Sequence, residues 1–178
     1  MASASTPVLS ASTPVLEFFS GVGGLHYALD RISQESPHHV LMAYDVDEAA
    51  LATYHLNHPN TPTSTADIRS VCEETIRTLL GGGAPRHMWL LSPPCQPYTR
   101  QGPQRGTHDG RANALEKLIS LLRDMDETLL PTHLLLENVV GFESSSTRGR
   151  LVDALHARRY TTKELWVSPV HVGVCNQR

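Results

Sequence analysis

Two residues in this chain, a thiol and a carboxyl, have side chains that could do chemistry at places where a ligand could reach them. Cys95 stands in Leu91-Ser-Pro-Pro-Cys-Gln-Pro-Tyr-Thr-Arg100. Its thiolate would be a strong nucleophile. Pro93, Pro94 and Pro97 fix their own φ, lack an N–H and bias the preceding residue to extended geometry. The thiol therefore belongs to a stiff loop. Glu137 heads Glu137-Asn138-Val139, directly after the apolar run His133-Leu134-Leu135-Leu136. A carboxylate at the end of a buried strand is costly without a partner, which favours a functional reading of Glu137. A lone cysteine in a proline-rich turn fits a buried structural thiol as well, so Cys95 has to be weighed with the elements around it.

Those elements read as an alternating α/β chain. Val15 to Phe19 predicts a strand, followed at once by Ser20-Gly21-Val22-Gly23-Gly24 and by Leu25, Ala28, Leu29 and Ile32 at helical spacing. Strand, glycine turn and helix is how a parallel sheet builds a nucleotide or nucleoside site, because the glycines let the backbone approach the ligand. The spacing is not GxGxxG, since His26 occupies the last glycine's place. That argues against a pyrophosphate loop. Val40 to Tyr44 predicts a second strand, and Asp45 follows it, 24 residues after Gly21. An acidic residue there can hold ribose hydroxyls, or it can cap a helix. Asp47 is the expected cap of a helix over Glu48–Tyr54. A short third strand ending at Ala66-Asp67-Ile68 leaves Asp67 two roles: contact with an adenine amino group, or the cap of a helix over Val71–Leu80.

Further strands are predicted at Met88–Leu91, His133–Leu136 and Lys163–Val167, with helices over Ala112–Leu122 and Arg148–Arg159. The loop Gln101–Arg111, just after Arg100, is polar and glycine-bearing and suits substrate contact. At 178 residues one domain is expected: a tail over residues 1–13, containing the first copy of a duplicated Ala-Ser-Thr-Pro-Val-Leu, then a catalytic domain over 14–178. No run approaches the ~20 apolar residues of a membrane span. The odd count of three cysteines, with no CxxC pair, indicates neither a disulfide frame nor a zinc site. Cys72 and Cys175 read as ordinary buried residues. No two of the ten histidines stand at i, i+4 beside a carboxylate, so no metal site is expected. A reduced, intracellular setting, cytoplasmic or nuclear, is the expectation. Residues 1–85 carry 3 basic and 9 acidic side chains, and residues 86–178 carry 12 and 9. The second half could meet a polyanion, although the excess is small.

Together these residues resemble the cytosine-5 methyltransferase family. Phe18-Phe19-Ser20-Gly21-Val22-Gly23-Gly24 is similar to its cofactor motif, Ser92-Pro93-Pro94-Cys95-Gln96-Pro97 to its nucleophile loop, and Glu137-Asn138-Val139 to the loop that grips the base. Within the family the likeness is to the tRNA-aspartate branch, historically grouped with the DNA enzymes. Tyr98-Thr99-Arg100 and Gly141-Phe142-Glu143-Ser144-Ser145-Ser146-Thr147-Arg148 carry it. The resemblance implies an α/β, Rossmann-like S-adenosylmethionine-dependent methyltransferase fold, with a mostly parallel sheet and helices on both faces. It implies that Phe19, Gly21, Val22, Gly23, Gly24, Asp45, Val46, Asp67, Ile68 and Pro93 hold S-adenosylmethionine. Cys95, Glu137 and Arg178 would be catalytic, while Arg100, Asn138 and Val139 would contact substrate. The family pattern continues past Asn176-Gln177-Arg178 into a second arginine, a target-recognition segment, further strands and a closing helix. These 178 residues do not include them.

The chemistry implied is methyl transfer to C5 of a cytosine in a tRNA anticodon loop. Cytosine C5 is a poor nucleophile until a thiolate adds at C6 and makes C5 enamine-like. Cys95 would supply that thiolate. A protonated Glu137 would hydrogen-bond cytosine N3, and burial at its strand end is expected to raise its pKa for the purpose. Arg178 would steady the base or the thiol. A DNA cytosine-5 methyltransferase of the same chemistry, and a non-catalytic cofactor- or RNA-binding protein, are the alternative readings.

Overall fold

The computed structural model describes residues 12–32, 37–82, 86–94 and 110–173. The elements alternate as β1 (Thr13–Phe18), α1 (Gly24–Ile32), β2 (His38–Tyr44), α2 (Glu48–Asn57), β3 (Thr63–Ser64), α3 (Glu73–Leu79), β4 (Met88–Leu91), α4 (Gly110–Asp124), β5 (His133–Leu136) and α5 (Ser146–Ala157). The five strands form one sheet in the order β3-β2-β1-β4-β5, and every pair is parallel. This is a Rossmann-like α/β fold with a parallel sheet, as expected. The order reverses at β1, which pairs with β2 on one side and β4 on the other. Ligands of open α/β sheets bind beside such a reversal, at the carboxyl ends of the strands.

Alternation along the strands divides the core between two faces. Leu16, Phe18, Trp89 and Leu91 pack with Ile76, Leu115, Leu118, Leu122 and Leu151 from α3, α4 and α5. Val15, Val40 and Leu90 pack with Leu25, Leu29, Leu51 and Tyr54 from α1 and α2. The inner strands are buried over Val15–Phe18 and Trp89–Leu91, as they must be with helices on both faces. Phe18 stacks on Tyr44 at 5.5 Å and meets Trp89 edge-on at 5.1 Å. These rings lie directly beneath the strand ends that carry the site and hold β2, β1 and β4 at fixed spacing.

Several expectations need correction. The third strand is Thr63–Ser64 and does not reach Asp67. β1 begins at Thr13, whose N–H donates to Pro37 O. Cys72 is exposed rather than buried, because it precedes the first turn of α3 and its N–H donates to Thr75 Oγ1. Residues 161–168 form no strand. An apolar run becomes a strand only when a neighbour offers its backbone, and among the described residues none pairs with the outer edge of β5. Leu165, Trp166 and Val167 are accordingly about 70% exposed.

Candidate active site

The strand register places the site. Phe18 pairs with Tyr44 on one side and with Leu91 on the other, and Leu91 pairs with Leu136. The next residue on each strand is Phe19, Asp45, Ser92 and Glu137. Four separate segments therefore leave the sheet along one rim.

On the β1–β2 side the turn is built by backbone geometry. Phe19, Gly21 and Gly23 have φ of 57°, 52° and 91°, left-handed values that glycine adopts without strain. The reversal is tight: Ser20 N–H donates to Tyr44 O, and Gly23 N–H to Ser20 O. The Asp45 carboxylate closes it, accepting from Gly21 N–H at 2.8 Å through Oδ2 and from Asp47 N–H at 2.9 Å through Oδ1. Each oxygen keeps a lone pair for a further donor. Asp47 caps α2, as expected, by accepting from Ala49 and Ala50 N–H. A Cβ at Gly21 or Gly24 would meet nothing within 4 Å, so the turn opens onto free space. Val22 and Val46 stand exposed beside it. Glycines facing space, an oriented carboxylate and two exposed valines fit a nucleoside-bearing cofactor such as S-adenosylmethionine.

Asp67 and Ile68 are placed differently. The Asp67 carboxylate caps the 3-10 turn Ile68–Ser70, not α3, and binds the Arg69 guanidinium. Hydrogen bonds from Arg69 hold its carboxyl below the usual range. The Ile68 side chain is buried in the core.

On the β4–β5 side, Ser92 Oγ donates to Glu137 Oε2 at 3.1 Å, and Asn138 Nδ2 donates to Pro93 O at 3.3 Å. Glu137 N–H also donates to Leu91 O. The start of the proline loop and the Glu-Asn-Val segment are thus tied together. Glu137 is exposed, which corrects the expected burial. β5 is the outermost of the described strands, and its residues alternate between exposed and half-buried. Val139 is exposed next to it. Cys95, Arg100 and Arg178 lie outside the described residues. Ser92 is the residue that sequence reasoning overlooked. Its signal was its position, one residue past β4, where Asp45 stands past β2 and Glu137 past β5.

A second polar network lies under the glycine turn. Tyr54 OH donates to Glu17 Oε2 at 2.8 Å, and its oxygen is 2.7 Å from His26 Nδ1. Burial pushes the Glu17 carboxyl up to about 7, against the hydrogen bonds of Tyr54 and the His26 amide. Burial, with the neighbouring His58, pulls His26 down to about 4. Glu17 lies on β1 with its side chain on the α1–α2 face, where Tyr54 reaches it from α2.

The family described as C-5 cytosine-specific DNA methylase matches residues 13–165. A tRNA (cytosine(38)-C(5))-methyltransferase of Rattus norvegicus is 38% identical over 164 residues, covering 92% of this chain and 40% of that protein. A DNA (cytosine-5)-methyltransferase of Dictyostelium discoideum is 36% identical over 167 residues, covering 92% and 41%. The crystal structure of the S. pombe Dnmt2 methyltransferase superposes with a TM-score of 0.78 at 29% identity, covering 94% of this chain and 47% of that one. The chain thus spans about 40% of the length of these curated relatives. The match runs through the glycine turn, Asp45, the proline-cysteine loop and Glu137, and the chain belongs to the C-5 cytosine-specific methylase family.

Proposed function

We propose that this chain carries the cofactor and nucleophile elements of a tRNA cytosine-5 methyltransferase. The observation that supports this best is the link from Ser92 to Glu137, which holds the carboxyl over the start of the Cys95 loop. In this reading S-adenosylmethionine, when bound, supplies an electrophilic methyl on a sulfonium. Asp45 takes its ribose hydroxyls, and the turn from Phe19 to Gly24, with Val22 and Val46, receives the remainder.

The base is held at Glu137, Asn138 and Val139. Glu137 meets cytosine N3 and donates to it when the carboxyl carries a proton. The Cys95 thiolate adds to C6, and the displaced electron pair makes C5 nucleophilic toward the methyl group. Loss of the C5 proton then returns the electron pair, expels the thiolate and restores the aromatic base. A single-stranded loop presents its cytosine already unstacked, whereas a duplex must flip it out at a cost of a few kcal/mol. The relatives named as tRNA enzymes favour the loop.

The test is trapping. A tRNA bearing 5-fluorocytosine has no C5 proton to lose, so the adduct cannot resolve. With cofactor present, a covalent protein–RNA band should form, and Cys95→Ala should abolish it. A band retained in that variant would sink the thiolate mechanism. Preferential trapping of duplex DNA over tRNA in direct competition would favour the DNA reading, and cofactor binding without any adduct the non-catalytic one.

A further inference from the structure

Beneath the glycine turn, on the face of the sheet covered by α1 and α2, four polar side chains converge. They belong to none of the steps above. His26 and Asp30 come from α1, His38 opens β2, and His58 follows the last residue of α2. The Asp30 carboxylate is their centre. His26 Nε2 lies 3.7 Å from Oδ1, His38 Nε2 3.3 Å from Oδ1, and His58 Nδ1 3.5 Å from Oδ2. The three imidazoles are buried to within 6–8% side-chain exposure, while Asp30 is half-exposed at 47%. One carboxylate is open to solvent and backed by buried rings.

The hydrogen bonds favour one tautomer of His26. With the Tyr54 hydroxyl donating to the Glu17 carboxylate, its oxygen accepts from His26 Nδ1–H. Nε2 then carries the lone pair, and that lone pair faces the Asp30 carboxylate. A cation between the buried imidazole nitrogen and the half-exposed carboxylate would serve both acceptors. The His58 ring stacks on His26 at 3.8 Å, which brings a second imidazole to the same carboxylate.

We propose that His26, Asp30 and His58 form a binding site for a divalent transition-metal ion of the zinc type, with His38 steadying the carboxylate. One ligand atom from each of the three lies within 4.8 Å of the others. Edges near 3.3 Å are what a tetrahedral ion with about 2.0 Å bonds requires, and the Asp30 distances are close to that. Two neutral imidazoles and a carboxylate are borderline donors suited to Zn²⁺ or Co²⁺ and too nitrogen-rich for Ca²⁺ or Mg²⁺. The Tyr54–Glu17 pair behind His26 is the outer support that fixes a ligating ring. A metal lies in the plane of each imidazole it takes, so ligation turns the His58 ring out of its stack on His26. The turn above is in contact with the cluster, since a Cβ on Gly23 would come 2.9 Å from His58 Cδ2.

The full chain, untagged and stripped with chelator, is alkylated at its thiols to remove Cys72, which is exposed, and any other reactive cysteine from competition. Zn²⁺ is then titrated at neutral pH against a chromophoric chelator, and Co²⁺ is followed by its visible spectrum. The expected result is one ion per chain at micromolar affinity or tighter, a tetrahedral Co²⁺ spectrum without thiolate charge transfer, and a Zn²⁺-dependent rise in melting temperature. Asp30→Asn, at the half-exposed position, should weaken binding at least tenfold. Substoichiometric binding, or affinity unchanged in both Asp30→Asn and His58→Gln, overturns the site. Should His58→Gln fail to fold, the histidine ring protons of the unmodified chain decide. Zn²⁺ must shift those of His26 and His58. Shifts confined to exposed rings such as His55 and His133 overturn it.

Discussion

Ser92 and Glu137, 45 positions apart, are joined by a hydrogen bond of 3.1 Å between the hydroxyl and Oε2. The register Leu91–Leu136 brings them together, because each is the first residue beyond its strand. The bond orients a carboxyl that is otherwise exposed. Ser92→Ala should therefore leave folding intact and lower the rate of methyl transfer about tenfold, chiefly in kcat, by releasing the Glu137 side chain from its orientation. Glu137→Gln should cost more, about 10²-fold or greater, since in the proposed mechanism it removes the acid itself. Steady-state transfer from labelled S-adenosylmethionine checks both. Equal losses in the two variants would mean that Ser92 does more than orient.

Asp45 has a different role and should leave a different kinetic signature. Its two oxygens hold the Gly21 and Asp47 amides and retain lone pairs, which in the proposed function take the ribose. Asp45→Ala should raise the dissociation constant for S-adenosylmethionine by about 10–100-fold, the equivalent of one or two hydrogen bonds to a charged acceptor. Asp47→Ala removes the cap of α2 and should cost about 1 kcal/mol of stability with little change in cofactor affinity. Calorimetric titration with urea unfolding separates the two.

The glycines of the turn are not equivalent. Gly23 has φ of 91°, and a Cβ there would come within 3.0 Å of Tyr54 and His58. Gly23→Ala combines backbone strain with a clash against buried rings and should cost at least about 2 kcal/mol. In a domain of this size that lowers the melting temperature by roughly 4–8 °C. Gly21 has φ of 52° and empty space beyond it. Gly21→Ala should cost only about 1 kcal/mol of stability while hindering the cofactor directly. Thermal melts with and without cofactor distinguish the two positions.

Glu17 and His26 make opposing contributions to stability against pH. Glu17 is raised from 4.5 to about 7 in the folded chain, so the native state binds the proton more tightly than the unfolded state. Stability from this group falls as pH rises between about 4.5 and 7. His26 is lowered from 6.5 to about 4, so stability from it rises with pH between about 4 and 6.5. Around Glu17 and His26 stand Tyr54, Asp30, His38 and His58, and the two slopes largely cancel in the unmodified chain. Glu17→Gln removes one slope. Relative to the unmodified chain, the variant should gain about 3 kcal/mol on going from pH 4.5 to above 7. Urea unfolding across that range measures it, and a pH-independent difference would refute the assignment.

Much of the fold was legible because its signals are local. Met88–Leu91 and His133–Leu136 are strands over the predicted spans, since short apolar runs between turn residues have few other uses in an α/β chain. Asp47 was legible as a cap because its side chain bonds amides two and three residues on. The segment at Lys163–Val167 misled for the same reason: its pattern suits a strand, but strands need a partner and the pattern does not supply one. The burial of Glu137 was misjudged because exposure depends on what lies beyond β5.

What the sequence determined by itself is the set of chemical groups and their order along the chain: glycine turn, acidic residue, proline-cysteine loop, Glu-Asn-Val. Proline, glycine and capping residues act over a few bonds, so their consequences can be read position by position. Only the tertiary structure decided which groups meet. The parallel register brings Ser92 to Glu137 and Asp45 to Gly21, and the packing of α1 and α2 on one face gathers His26, Asp30, His38 and His58 around a single carboxylate. His26 and His58 are 32 positions apart, and nothing in their spacing brings their rings within 3.8 Å. That contact exists because two helices bury their apolar faces on the same side of one sheet.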